Sequence, residues 1–83
     1  MFITPKKLIE SLEGAVIFID PEYTEAIVGY TYDDRIVYSY SKMVLLLMER
    51  DGMTFDEARE FIDYNTIRSL SYVEKTPVVL FEI

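Results

Sequence analysis

The sequence lacks the side chains that most often do chemistry in proteins, because it contains neither cysteine nor histidine. Without cysteine there is no disulfide and no thiolate nucleophile. Without histidine the commonest general base and metal ligand is missing. Three glycines are too few for a glycine-rich phosphate loop, and the chain has no Gly-x-Ser-x-Gly elbow. The composition therefore predicts a protein that is not an enzyme and that holds no metal ion or cofactor.

Basic residues are scarce as well. Eight lysines and arginines face fifteen acidic residues, which gives a net charge of −7. This charge repels nucleic-acid backbones and membrane surfaces, so we expect no direct contact with either, and a partner protein with a basic surface instead. No apolar run approaches the roughly 18 residues that a membrane span needs, and residues 1–13 lack the long apolar run typical of a signal peptide, so none is expected. A cytoplasmic location is expected.

The chain is rich in apolar residues. Hydrophobic residues make up 51% of the 83 positions, and seven tyrosines and five phenylalanines supply much of that share. Chains rich in aromatic residues are ordered, and this length suits a single domain over residues 1–83. A domain of this size buries only about 60% of its unfolded surface. Self-association would therefore add stability, and a homodimer is expected.

The N-terminal part predicts a helix followed by a strand. Thr4 and Pro5 suit the first positions of a helix that Gly14 ends. The short, continuous apolar run at 15–19 predicts a strand that is covered on both faces.

Two β-rich runs, 25–32 and 35–40, flank a pair of aspartates and predict a hairpin. Because aspartate tolerates positive φ, a two-residue loop is expected, which pairs Tyr30 with Val37. Both faces of this hairpin are largely apolar. We expect both to be covered, one of them by a second copy of the chain.

Residues 43–70 predict two helices joined at Gly52, with Ser41 as the N-cap of the first. Positions 43–48 are all apolar, and a helix that is apolar all round is buried on all sides. We expect this helix to lie between the sheet and either the second helix or a dimer partner. The residues predicted for the dimer contact are Met43, Leu47 and Met48.

The second helix begins at a capping box formed by Thr54 and Glu57. Apolar residues at helical spacing line its inner face, namely Phe55, Ala58, Phe61 and Ile62. Carboxylates line the opposite face and form the predicted interaction surface, namely Asp56, Glu57, Glu60 and Asp63.

Two helices joined by a glycine turn have the outline of a DNA-binding helix-turn-helix. A recognition helix needs Arg or Lys for phosphates and bases, and this helix offers only Arg59 against its row of carboxylates. DNA binding is therefore not expected. The acidic row is either a solvated face that keeps an apolar domain in solution, or a surface that imitates phosphates to a basic groove.

The spacing of Asp56, Glu60 and Asp63 on one helix face also raises the question of a metal site, since hard cations accept carboxylate oxygens. The chain has no EF-hand spacing, and Arg59 is placed to pair with either aspartate. A solvated face is expected here, and no metal site is predicted.

A polar segment completes this region and contains Asp63, Tyr64, Asn65, Thr66 and Arg68. One interpretation is a helix-end network in which Asn65 lies near the C-cap and Arg68 pairs with Asp63. A second is a recognition surface, because Tyr and Arg are enriched at binding hot spots. A third is a small-molecule site around Tyr64, Asn65 and Arg68.

After Pro77, the run 78–83 predicts a last strand, so the element order is α-β-β-β-α-α-β. This order predicts a single compact α+β domain in which an antiparallel sheet is packed by an αα-hairpin.

Several segments of the chain resemble a known group of short proteins. These segments are Asp51–Thr54, Glu57–Ala58 and Glu60–Arg68, preceded by Arg35–Tyr38 and Lys42–Val44. The similar proteins are reading frames of bacteriophages, prophages and gut bacteria to which no activity is assigned. Small acidic phage proteins often act as accessory factors, including anti-CRISPR-like inhibitors of host defence. The resemblance implies that context, in the cytoplasm of a bacterium or an infected host cell.

We therefore expect a non-enzymatic accessory protein that acts by protein–protein binding. Inhibition of a host nucleic-acid-handling or defence complex is the most specific form of this expectation. The alternatives are a structural or regulatory oligomerising domain and, behind it, a small-molecule binder or an enzyme.

Overall fold

The structure is a computed structural model that describes residues 5–12, 15–18, 22–67 and 75–82. The elements in chain order are α1 (Pro5–Ser11), a 3-10 turn (Thr24–Ala26), β1 (Ile27–Tyr30), β2 (Ile36–Ser39), α2 (Tyr40–Asp51), α3 (Phe55–Phe61), a π-helical turn (Ile62–Ile67) and β3 (Val78–Leu80). The α+β class predicted from the sequence is confirmed, and the hairpin of α2 and α3 packs against the sheet.

The sheet has the strand order β1-β2-β3 and is mixed. The hairpin strands β1 and β2 are antiparallel, as expected. β3 lies parallel to β2, with Val37 opposite Val78 and Ser39 opposite Leu80. Parallel neighbours need a long crossover connection, and α2 with α3 supplies it. The sheet is therefore mixed where the sequence predicts an antiparallel one.

The apolar run at 15–18 is not a strand, and Ile19, the last residue of the strand predicted there, lies outside the described residues. Instead of joining a ladder, the backbone N–H of Phe18 donates to the Tyr38 hydroxyl at 3.2 Å. The Phe18 ring packs against Tyr23 and Tyr38, with centroid distances of 5.7 and 4.8 Å. The run thus contributes side chains to the core rather than hydrogen bonds to the sheet.

The β1–β2 hairpin is closed by Thr31 and Arg35 around three loop residues, 32–34, rather than the predicted two. The N–H of Thr31 donates to the Arg35 carbonyl at 2.8 Å, and the N–H of Asp34 donates to the Thr31 carbonyl at 3.0 Å. Asp34 has a φ of 63°, the left-handed conformation that closes three-residue hairpin loops. The Thr31 hydroxyl also accepts from the Arg35 N–H at 3.0 Å, which stabilises the longer loop.

The longer loop shifts the strand pairing by one residue, so that Tyr30 lies opposite Ile36 rather than Val37. A one-residue shift changes which side chains share a face, because side chains alternate along a strand. The buried hairpin side chains are Ile27, Ile36 and Tyr38. Tyr30 remains 55% exposed, so this chain alone does not cover the whole hairpin.

The core lies between the sheet and the helices. It contains Leu8, Tyr23, Ala26, Ile27, Ile36, Tyr38, Met43, Val44, Leu47, Ala58 and Ile62. Met43 and Leu47, predicted for a dimer contact, are fully buried within the single chain and offer no surface to a second copy. Met48 is half-buried, and Leu45 is 52% exposed. Within the single chain one side of α2 is therefore uncovered, and cover by a dimer partner, the alternative that the sequence analysis gives, stays a prediction.

Local signals fix the ends of α2 and α3. Ser39, rather than the predicted Ser41, is the N-cap of α2. Gly52 ends this helix with a left-handed φ of 68°. The capping box of α3 is confirmed, because the Thr54 N–H donates to the Glu57 carboxylate at 2.8 Å and the Glu57 N–H donates to the Thr54 hydroxyl at 3.2 Å. The capping box thus fixes the start of α3, and the residues of its acidic face are exposed.

Candidate functional site

The helix α3 continues beyond Phe61 as a wide π-helical turn, where the sequence predicts a helix end near Asn65. Such turns form i→i+5 hydrogen bonds and are frequent at functional sites. Two residues four positions apart, Ile62 and Thr66, point into the protein and are buried. The three residues between them, Asp63, Tyr64 and Asn65, are exposed. The turn therefore separates the polar segment into a buried anchor and an exposed surface.

Thr66 belongs to the anchor. Its side chain is only 3% exposed, and its hydroxyl lies 3.1 Å from the fully buried Tyr23 hydroxyl. Burial raises the pKa of Tyr23, and the hydrogen bond to Thr66 partly opposes that rise. Of the predicted polar segment, Thr66 thus has a structural role, while Arg68 lies outside the described residues.

The acidic face of α3, made of Asp56, Glu57, Glu60 and Asp63, is exposed along its whole length. None of these carboxylates forms a salt bridge with another described residue, since the ion pair found in that part of the chain joins Arg50 and Asp51 at 3.5 Å. Hydrogen bonds from Thr54 lower the pKa of Glu57, the backbone N–H contributing most. The face therefore presents its carboxylates to solvent without a neutralising partner in the described part.

Arg59 is the basic residue of α3 and is expected to pair with Asp56 or Asp63. Its guanidinium lies instead 5.4 Å from the centroid of the Phe55 ring, a cation–π contact. Arg59 also lines a depression together with Asp56, Glu60 and Asp63. Among the described residues it forms no salt bridge with these carboxylates.

A second depression lies on the other side of Glu60. It is lined by Met53, Glu57, Glu60, Phe61, Tyr64 and Asn65, and its volume is about 390 Å³. Pockets for small ligands bury most of the ligand surface, whereas this depression is wide open to solvent. The structure therefore brings Glu57 and Glu60 of the acidic face together with Tyr64 and Asn65, which the sequence analysis treats as a separate polar segment.

The structure adds three residues that the sequence does not single out for this surface. Met53 and the half-buried Phe61 give the depression apolar walls. The Tyr40 hydroxyl donates to the Asp63 carboxylate at 3.4 Å and connects the start of α2 to the π turn. Periodicity assigns Phe61 to the core, and no sequence pattern indicates that Met53 or Tyr40 reaches this surface.

A separate cluster joins two serine hydroxyls to a carboxylate at the start of α2. Ser39 and Ser41 both donate to Glu82, and the hydroxyl oxygens of the two serines lie 3.1 Å apart. These bonds, the one from Ser39 most strongly, lower the pKa of Glu82, with a smaller contribution from Lys42. Ser39 is fully buried. The cluster therefore ties the segment after β3 to the start of α2.

The described residues contain no group of three or more acidic side chains arranged to hold a metal ion. Among the same residues there is no helix with the length and apolar character needed to cross a membrane.

Comparison with known proteins adds no relative, because no protein-family model, curated protein or solved structure matches this chain. A functional proposal therefore rests on the described surface features themselves, namely the acidic face, the depression beside Tyr64 and the adjoining π turn.

Proposed function

We propose that this protein acts by binding another protein through the acidic face of α3 and the adjoining Tyr64 depression, without catalysing a reaction. The exposed row of carboxylates, which has no salt-bridge partner among the described residues, is the observation that supports this most directly. Tyr64 is 65% exposed beside Glu60, and tyrosine is a frequent hot-spot residue. Charge for attraction and an aromatic side chain for contact thus lie side by side.

The partner has a basic surface. A net charge of −7 attracts such a surface over distance and raises the association rate, while repelling nucleic acids. Asp56, Glu60 and Asp63 follow one another along a helix at about one turn, so they are able to occupy a groove that otherwise receives phosphates. A host nucleic-acid-handling or defence complex in the cytoplasm of a bacterium or an infected cell is the most specific partner of this kind.

A structural or regulatory oligomerising domain is the second candidate. The observation that favours it is that Tyr64, an aromatic side chain of the polar segment, is 65% exposed. In that case the polar segment shapes an assembly rather than an inhibitory contact, and Tyr64→Ala changes the mass of the assembly in light scattering.

The main proposal is tested by reversing charge on the acidic face. A variant carrying Asp56→Lys, Glu60→Lys and Asp63→Lys is expected to lose binding to the partner captured by the unmodified protein, mainly through a slower association rate. Glu57 is left unchanged because it caps α3. Binding is measured by surface plasmon resonance at two salt concentrations, since screening weakens the attraction.

The matched control changes the same amount of charge elsewhere, through Glu10→Lys, Glu22→Lys and Glu25→Lys, all at exposed positions. This control is expected to retain most of the affinity. Equal losses in both variants, or a captured partner that lacks a basic surface, would contradict the proposal.

A further inference from the structure

The helix α2 leaves an apolar groove uncovered. Its inner side chains Met43, Val44 and Leu47 are buried. On the opposite side of α2, Leu45 is 52% exposed, and Phe55 of α3 is 53% exposed. The groove between these elements has a volume of about 320 Å³, and its accessible lining is apolar. It is lined by Tyr40, Ser41, Val44, Leu45, Met48 and Phe55.

The exposed stripe of α2 has the spacing of a helix–helix seam. Ser41, Leu45 and Met48 follow at intervals of four and three, the spacing of residues that meet across a pair of packed helices. Aromatic side chains extend the apolar surface beyond the helix. The Tyr40 ring stacks on Phe81 with centroids 4.3 Å apart, and Phe81 is itself 59% exposed.

Opposite charges lie near the two ends of the stripe and indicate which partner it fits. Lys42 and Glu49 are both exposed, and the midpoint between them along the chain falls between Leu45 and Leu46. Within the described part of the chain neither takes part in a salt bridge. Two copies of such a stripe are complementary in charge when they lie antiparallel.

We propose that two copies of this chain associate through α2, antiparallel and about a two-fold axis between Leu45 and Leu46. Each Lys42 then faces the partner's Glu49, and the apolar grooves cover one another. A two-fold interface uses the same surface on both subunits, and this charge arrangement satisfies that condition. A foreign helix would need no such symmetry. The contact shares Tyr40 with the acidic surface through the hydrogen bond to Asp63, but it uses none of the carboxylates of the acidic face, so charge reversal at Glu60 tests the two proposals separately.

The dimer is tested by charge exchange, with sedimentation analysis over a range of protein concentrations. Lys42→Glu and Glu49→Lys each place like charges opposite one another twice per dimer, and each is expected to weaken dimerisation about tenfold. Glu49→Lys is the sharper of the two, because it reduces the net negative charge of the chain. General repulsion between acidic chains predicts tighter association for that variant, whereas the paired geometry predicts weaker association.

The variant with both exchanges restores the opposite pairing at unchanged net charge and is expected to regain dimerisation close to that of the unmodified protein. Leu45→Glu is expected to abolish the dimer while the monomer keeps its helical circular dichroism, since Leu45 lies outside the core.

A monomer at every concentration overturns the proposal, and so does a double exchange that associates no better than the single variants. A groove that binds a foreign protein while the chain stays monomeric overturns it as well. Reversing charge at Glu60 on the acidic face is expected to leave the dimer intact, so failure of one proposal does not imply failure of the other.

Discussion

The Tyr23–Thr66 hydroxyl pair is the residue-scale contact on which the π turn depends. The two oxygens lie 3.1 Å apart in a buried position and connect segments 43 residues apart in the chain. Residues 63–65, between the buried Ile62 and Thr66, are exposed. Tyr64 thus lies on the outer side of a turn whose inner side makes a buried polar contact.

We expect Thr66→Val to destabilise the protein by about 1–3 kcal/mol, because it removes a hydrogen-bond partner from a buried hydroxyl while keeping the side-chain shape. Urea unfolding measures the free energy. The variant carrying both Tyr23→Phe and Thr66→Val is expected to lose less than the sum of the two single changes. Strictly additive losses would indicate that the two hydroxyls are not coupled.

At the scale of elements, the capping box of α3 links stability to the acidic face. Thr54 and Glu57 exchange hydrogen bonds between backbone and side chains in both directions. Glu57 is therefore a hydrogen-bond acceptor in the cap and also a charge on the proposed binding surface, and substitutions are able to separate the two roles.

We expect Thr54→Ala to cost about 1 kcal/mol of stability, as is usual when an N-cap side chain is lost. Glu57→Gln is the matched control, since glutamine also closes a capping box but carries no charge. It is expected to leave the thermal midpoint nearly unchanged and to weaken partner binding. A large loss of stability in Glu57→Gln would show that its charge, rather than its hydrogen bond, holds the start of α3.

The elements that the sequence predicts correctly are those set by neighbouring residues. The Thr54–Glu57 box, the end of α2 at Gly52 and the exposed acidic face follow from local hydrogen bonding and helical periodicity. The hairpin is predicted as an element, but its loop differs by one residue. The Thr31 side chain and the left-handed Asp34 favour a three-residue loop over the two-residue one.

The remaining differences come from distant contacts that no local pattern contains. The run at 15–18 matches the pattern of a buried strand but packs its side chains on Tyr23 and Tyr38 instead. The inward position of Thr66 agrees with helical spacing, because it lies four residues after the buried Ile62, but its partner Tyr23 is 43 residues away and no local pattern indicates it. The direction of β3 depends on how α2 and α3 return the chain to the sheet.

At the scale of the whole molecule, titrating groups limit the pH range of stability at both ends. Two serine hydroxyls lower the pKa of Glu82 below its ordinary value of 4.5, Ser39 contributing most. That stabilisation is present above pH 4.5 and is lost as the pH falls through the lowered value. Burial raises the pKa of Tyr23 and Tyr38 above 10.0. Their contribution is present below pH 10.0 and is lost as the pH rises through the raised values.

We expect Glu82→Gln to make the acid side of the pH–stability curve shallower, because the variant no longer has a carboxylate to protonate at that position. Thermal melts between about pH 2 and pH 7 measure this, a span chosen to bracket the ordinary glutamate pKa. Glu25→Gln, at an exposed site, serves as the control. An acid limb identical to that of the unmodified protein would mean that Glu82 contributes nothing to it.

The parallel pairing of β3 with β2 has a consequence for how the chain reaches this fold during synthesis. β2 pairs with β1 as soon as the hairpin forms. Its other edge stays unpaired until β3 is synthesised about 41 residues later, which is the separation of the Arg35–Thr76 contact. Until then the central strand is an open edge, the kind of backbone that pairs with other chains. Closing so long a loop is slow compared with forming a hairpin. The nascent protein is therefore most prone to aggregation in the interval between the synthesis of α2 and that of β3.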